Sequence, residues 1–160
     1  MPGQRRAADR GLADFAARFG DLFAQRDANA AAKSVEAAHV ACLQTIFTAL
    51  AHGDFDAAFS HLTPDTTYVI YAGGRIPFQM AGQGRAVVQE GMRTNFGAVA
   101  FERIDIDTLV AQGDVVVIVA RQRGRWRESG VAFDERVMLE YVFAGDLVAS
   151  YRGWILPFAP

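Results

Sequence analysis

Only one cysteine, Cys42, stands in the 160 residues, so no intrachain disulfide can form and stability must come from packing. That usage suits a reducing compartment, and a cytoplasmic location is expected. No apolar run is long enough to span a bilayer, and Arg5-Arg6 precedes no stretch of the kind that heads a secretory signal. Positive charge is not in excess either. The net charge of -2 gives no global attraction to nucleic acid or to an anionic membrane, so neither is expected as a partner. Metal spacing is missing as well: His39 and Cys42 lie three apart, but no second ligand pair accompanies them, and no metal is expected. Gly82-Gln83-Gly84 lacks the third glycine of a dinucleotide fingerprint and follows no strand, so no cofactor is implied. There is no nucleophile motif.

What is present is an ordinary globular composition. Hydrophobic residues make up 51% and charged residues 21%, which excludes wholesale disorder and suits a single domain with a real core. Residues 1–35 stand apart as an extension rich in alanine and arginine. Within it Leu12, Phe15, Phe19, Leu22 and Phe23 form a helical stripe, read either as a packing helix or as a lid. In residues 36–51, Val40, Leu43, Phe47 and Leu50 share one helix face. Gly53-Asp54 breaks that helix, and Asp54 is placed to cap a short second one whose buried side is Phe55, Phe59 and Leu62. Residues 66–72 read as a strand ending at Gly73-Gly74, residues 75–84 as a loop, and residues 82–96 as a third helix with Val88, Met92 and Phe96 on its buried stripe.

After Phe96 the period changes from helical to two. Ile104 and Ile106 alternate with Arg103, Asp105 and Asp107, and Gly113-Asp114 and Gly145-Asp146 mark turns before further apolar runs. Helices first and strands afterwards predict an α+β domain with a mostly antiparallel sheet. Arg121, Arg123, Arg125 and Arg127 fall on one face of a strand. Trp126 has the opposite parity, so no aromatic platform accompanies them. They are better read as an outer face paired with Asp134, Arg136 and Glu140 of the next strand than as a nucleic-acid surface.

This order of elements resembles the nuclear-transport-factor-two-like superfamily, which includes ketosteroid isomerases, limonene epoxide hydrolase and SnoaL-like polyketide cyclases. The resemblance covers roughly residues 36–158. It implies a cone-shaped, curved antiparallel sheet with three helices packed on its concave side, formed by residues 36–160 after the extension, and a homodimer. It also implies which residues should carry chemistry, and here the chain departs from the pattern. The isomerase tyrosine falls near Ile46, its general-base aspartate near Ile70, and its oxyanion-hole aspartate near Leu139. Isoleucine and leucine cannot move a proton. By comparison with the epoxide hydrolase, a tyrosine is kept at Tyr68, its asparagine becomes Ile70, its charged relay falls on residues 120–122, and its last acid falls on Arg152.

Alternation within such a cone places Tyr68, Ile70, Val137, Leu139, Tyr141, Ser150, Arg152 and Trp154 on the concave wall, with Glu135 near the rim. An inward arginine must be paired. Arg152 would meet either Glu135 or the anionic head of a ligand. The expected function is that of a small-molecule-binding protein with an apolar, aromatic-lined pocket for a hydrophobic ligand. One alternative is an isomerase, cyclase or dehydratase of a hydrophobic secondary metabolite, with Tyr68, Glu135, Tyr141 and Arg152 as catalytic candidates. The other is a protein-interaction module that uses its sheet face.

Overall fold

Val40, Leu43, Phe47 and Leu50 recur at spacings of three and four, and all four are buried on one face of helix α1, Ser34–Ala51. Gly53, at φ 74°, ends that helix in a conformation only glycine adopts without strain, and its N–H donates back to the Leu50 carbonyl. Asp54 then opens α2, Phe55–Ser60, by accepting a hydrogen bond from the Ala57 N–H at 2.9 Å. The computed structural model describes residues 34–72 and 81–157. The helix expected within residues 1–35 and most of the expected loop therefore lie outside the described residues.

Strand β1 is Leu62–Tyr71, longer than the sequence predicts, because Leu62 starts the strand instead of closing α2. The end of the expected loop is a short strand β2, Ala81–Gln83, and it delays α3 to Arg85–Ala98. Four long strands follow: β3, Val99–Gln112; β4, Val115–Trp126; β5, Ala132–Ala144; and β6, Leu147–Pro157. The fold is α+β, with a curved sheet of order β2-β1-β6-β5-β4-β3 that does not close on itself. The run β3 to β6 is antiparallel throughout, with the Gly-Asp turns joining β3 to β4 and β5 to β6. Between β1 and β6 the pairing is parallel, with Tyr68 opposite Tyr151, a junction that hairpin reasoning does not reveal.

The outer face of β4 is charged as expected. Arg121 donates to both carboxylate oxygens of Asp134 at 2.7 and 2.6 Å, and Arg125 meets Glu102 at 3.0 Å. Arg127 lies past the end of the strand. On the inner face, α1 is tied to the two Gly-Asp turns through buried His39. Its ring stacks on Phe143 at 4.1 Å, and its nitrogens lie 3.1 and 3.0 Å from the carbonyl oxygens of Gly113 and Gly145. His39 and Cys42 thus serve packing. Burial, then the nearby Asp146, pushes the Cys42 thiol up to about 11, so it stays protonated and unreactive. Among the described residues no cluster of three metal-ligating side chains occurs, and no helix is long and apolar enough to cross a membrane.

Candidate functional site

Helices and sheet do not meet flush. They enclose a chamber of about 160 Å³. Its roof comes from α1 (Ile46, Phe47, Leu50), α2 (Phe59) and α3 (Val88, Met92, Asn95, Phe96). Its floor is the inner face of the sheet, and regular alternation on β5 delivers Phe133, Glu135, Val137, Leu139 and Tyr141 to it. Ile70 of β1 joins them. Ile46, Ile70 and Leu139, the positions that the resemblance matches to isomerase catalytic groups, all line this chamber.

Strand β6 departs from the expectation. Ser150, Arg152 and Trp154 point to the outer face, and Tyr151, Gly153 and Ile155 line the chamber in their place. The cause is a β-bulge. Val142 pairs with Ser150 but Phe143 pairs with Val148, so Ala149 is an extra residue and the parity of everything after it is reversed. Arg152 consequently lies 2.6 Å from Glu140 on the outer face, far from any role with Glu135 or a ligand anion. Trp154 stacks on Tyr71 there, ring centres 5.4 Å apart. The anionic-head expectation falls with this correction.

Tyr68 is inward but does not line the chamber. It is fully buried beneath α3, with its hydroxyl where a Cβ on Gly91 would come within 2.2 Å. Tyr68, Tyr151 and Tyr141 are register partners across β1, β6 and β5, and the rings of Tyr141 and Tyr151 stack at 5.1 Å. Burial lifts the Tyr141 phenol well above its ordinary value, with Tyr151 as the second cause. Burial lifts Tyr151 as well, followed by the effect of Tyr68, and burial alone lifts Tyr68. All three therefore stay neutral phenols at physiological pH. Tyr141 and Tyr151, which line the chamber, can hydrogen-bond a ligand oxygen, and none of the three can serve as a resting base.

The polar groups in the chamber wall are few. Gln122 Nε2 donates to Glu135 Oε2 at 3.1 Å, from directly across the β4–β5 ladder. Asn95 of α3 and Thr66 of β1 also line the wall, and the Asn95 amide and the Thr66 hydroxyl are buried with no hydrogen-bond partner among the described residues. Sequence reasoning missed both, yet Asn95 was findable. It lies seven residues after Val88, on the same buried stripe as Met92. Glu135 is the one charged side chain in the described lining.

Residues 43–151 match the SnoaL-like domain family. No curated protein matches the chain. Among solved structures, an NTF2-like protein from Burkholderia xenovorans LB400 superposes with a TM-score of 0.64 at 21% identity, over 74% of this chain and 88% of that one. A hypothetical protein with a ketosteroid isomerase-like fold from Catenulispora acidiphila DSM 44928, in complex with trimethylamine, gives 0.57 at 18%, over 70% and 82%. A Mycobacterium tuberculosis protein in complex with estradiol-17β-hemisuccinate gives 0.59 at 12%, over 72% and 92%. At these identities the likeness is one of fold.

Proposed function

Because the chain belongs to the SnoaL-like domain family, we propose that it binds a hydrophobic small molecule in the chamber between its helices and its sheet. The observation that carries this reading is a cavity of about 160 Å³ whose wall is almost wholly aliphatic and aromatic. Apolar cavities of roughly 150 Å³ hold a benzene-sized guest and stay dry without one. A ligand of one or two rings fits this volume, with Val137, Leu139, Ile70 and Tyr141 as its contacts. The trimethylamine and steroid-ester complexes of the similar folds support ligand binding as the use of such a chamber, and their chemical difference leaves the choice of ligand to the lining.

Indole titrated into the protein should bind saturably with one-to-one stoichiometry, and Leu139→Trp, which fills the chamber, should abolish that binding. Native mass spectrometry of freshly purified protein should show a small adduct. Absence of both, in a folded protein, would end the proposal. A catalytic reading is favoured by one observation, the Glu135 carboxylate in the wall, which would make this an isomerase, cyclase or dehydratase with Glu135 and Tyr141 as its groups. Product formation lost in Glu135→Gln but with ligand affinity kept would identify it, and wild-type protein that binds without ever converting its ligand would exclude it.

The same reading includes a homodimer through the outer sheet face. Met138 and Leu156 are exposed there, beside the Tyr71–Trp154 stack and the Arg152–Glu140 pair. Apolar residues framed by charge are the usual anatomy of such interfaces. Light scattering at micromolar concentration should give twice the 17.4 kDa chain mass, and Met138→Asp should halve it. A wild-type monomer rules this arrangement out.

A further inference from the structure

Asn95 is an unfavourable choice of residue where it stands. It lies in the last turn of α3, with Met92 and Phe96 beside it in the chamber wall, and asparagine is a poor helix former. Its carboxamide nitrogen and oxygen are both buried, and neither has a hydrogen-bond partner among the described residues. The helix offers a way out that Asn95 does not take. Its neighbour Thr94 turns its hydroxyl back to the Glu90 carbonyl oxygen at 3.0 Å. The other chamber residue with an unpartnered buried polar atom is Thr66, whose hydroxyl is likewise uncharged. A leucine at position 95 would have the same branching and no polar atom to desolvate, so stability does not account for the asparagine.

What an unpaired carboxamide recognises follows from its shape. Nδ2 donates and Oδ1 accepts, side by side in one plane, so its full complement accepts and donates at the same spacing. A cyclic amide has that pattern and closes two parallel hydrogen bonds with it. A carboxylate satisfies the donor but sets its lone pairs against Oδ1, and an ammonium satisfies the acceptor alone. Either ion would also surrender its water to a wall that is almost wholly apolar, a cost that a neutral head largely escapes. We propose that the chamber selects a hydrophobic lactam, its N–H donating to Asn95 Oδ1 and its carbonyl oxygen accepting from Asn95 Nδ2. This rests on the ligand-binding reading above and names the class of its ligand.

2-Quinolone, a two-ring lactam, and naphthalene, its hydrocarbon counterpart, separate recognition of the head from burial of the body. Calorimetric titration of wild type and Asn95→Leu with both probes gives four affinities, and their double ratio cancels the unequal hydration of the probes. The preference for quinolone over naphthalene should fall about a hundredfold in Asn95→Leu, two hydrogen bonds counting about tenfold each. The unfolding midpoint of that variant should stay level or rise, the reverse of losing a structural residue. A second readout needs no variant. Asn29 and Asn95 are the only asparagines, so protein labelled with ¹⁵N at asparagine shows two side-chain amide pairs. Quinolone should carry one pair downfield and naphthalene should not, and this spectrum decides alone if Asn95→Leu does not fold. If naphthalene binds but the preference is the same in both proteins and neither pair moves downfield, the lactam inference is overturned and the ligand chamber stands. If neither probe binds the folded wild type, the chamber reading fails and takes this inference with it.

Discussion

A β,γ-unsaturated ketosteroid incubated with this protein should emerge unisomerised, with no rise in conjugated-enone absorbance above the uncatalysed rate. Ile70 and Leu139 line the chamber where the resemblance puts a general base and an oxyanion donor, and neither can exchange a proton. General acid–base groups contribute about a hundredfold to ten-thousandfold each, so the loss of both removes nearly all acceleration. Nor can the remaining carboxylate substitute. Glu135 is four residues from Leu139, about 13 Å along β5, and a base must come within hydrogen-bond reach of its proton. Measured turnover would show that the matching of positions is wrong.

Gly124→Ala should destabilise the protein by about 3 kcal/mol, lowering the unfolding midpoint by about 10 °C. An added Cβ would stand 2.3 Å from the Ala100 carbonyl oxygen and 2.8 Å from Phe133 Cζ. The first of these belongs to the backbone of a neighbouring ladder strand and cannot swing aside. Gly97 is the natural control. It lies near the end of α3 with nothing within 4 Å of its Cβ site, so Gly97→Ala should stabilise by about 0.5–1 kcal/mol. Opposite signs for the same chemical change would confirm that contact, and not glycine content, sets the outcome. Equal midpoints for Gly124→Ala and the wild type in urea or heat would refute the packing argument.

Much of the architecture is legible in the sequence because periodicity is a local signal. The stripe Val40, Leu43, Phe47 and Leu50 names the buried face of α1, and alternation along β5 names Glu135, Val137, Leu139 and Tyr141 as inward. Both elements are regular, so counting works. On β6 counting fails at Ala149, because a single inserted residue reverses every later side chain and no glycine or proline marks the insertion. Alternation alone therefore puts Arg152 inside, whereas the structure pairs it with Glu140 on the outer face and turns Tyr151 to the chamber. Tyr68 fails differently. Its inward direction is right, but what decides whether an inward residue lines a cavity is the helix above it, and Gly91 lets α3 settle onto the ring. Asn95 and Thr66 escaped notice because a polar residue on a buried stripe is read as an interruption until the space beneath it is known.

The parallel pairing of β1 with β6 has a consequence for the order of events in folding. Every other long-strand contact in the sheet joins neighbours in sequence, through the short turns between β3, β4, β5 and β6. Thr67 meets Ser150 and Tyr71 meets Trp154 across about eighty residues of intervening chain. Closing that loop costs more entropy than forming any of the hairpins, and contacts so distant in sequence are slow to form. The chamber needs Thr66 and Ile70 from one side of this seam and Tyr151 and Gly153 from the other. A chain with its hairpins complete but the seam still open has most of its sheet and no site, so a bound ligand reports on the meeting of the first long strand with the last.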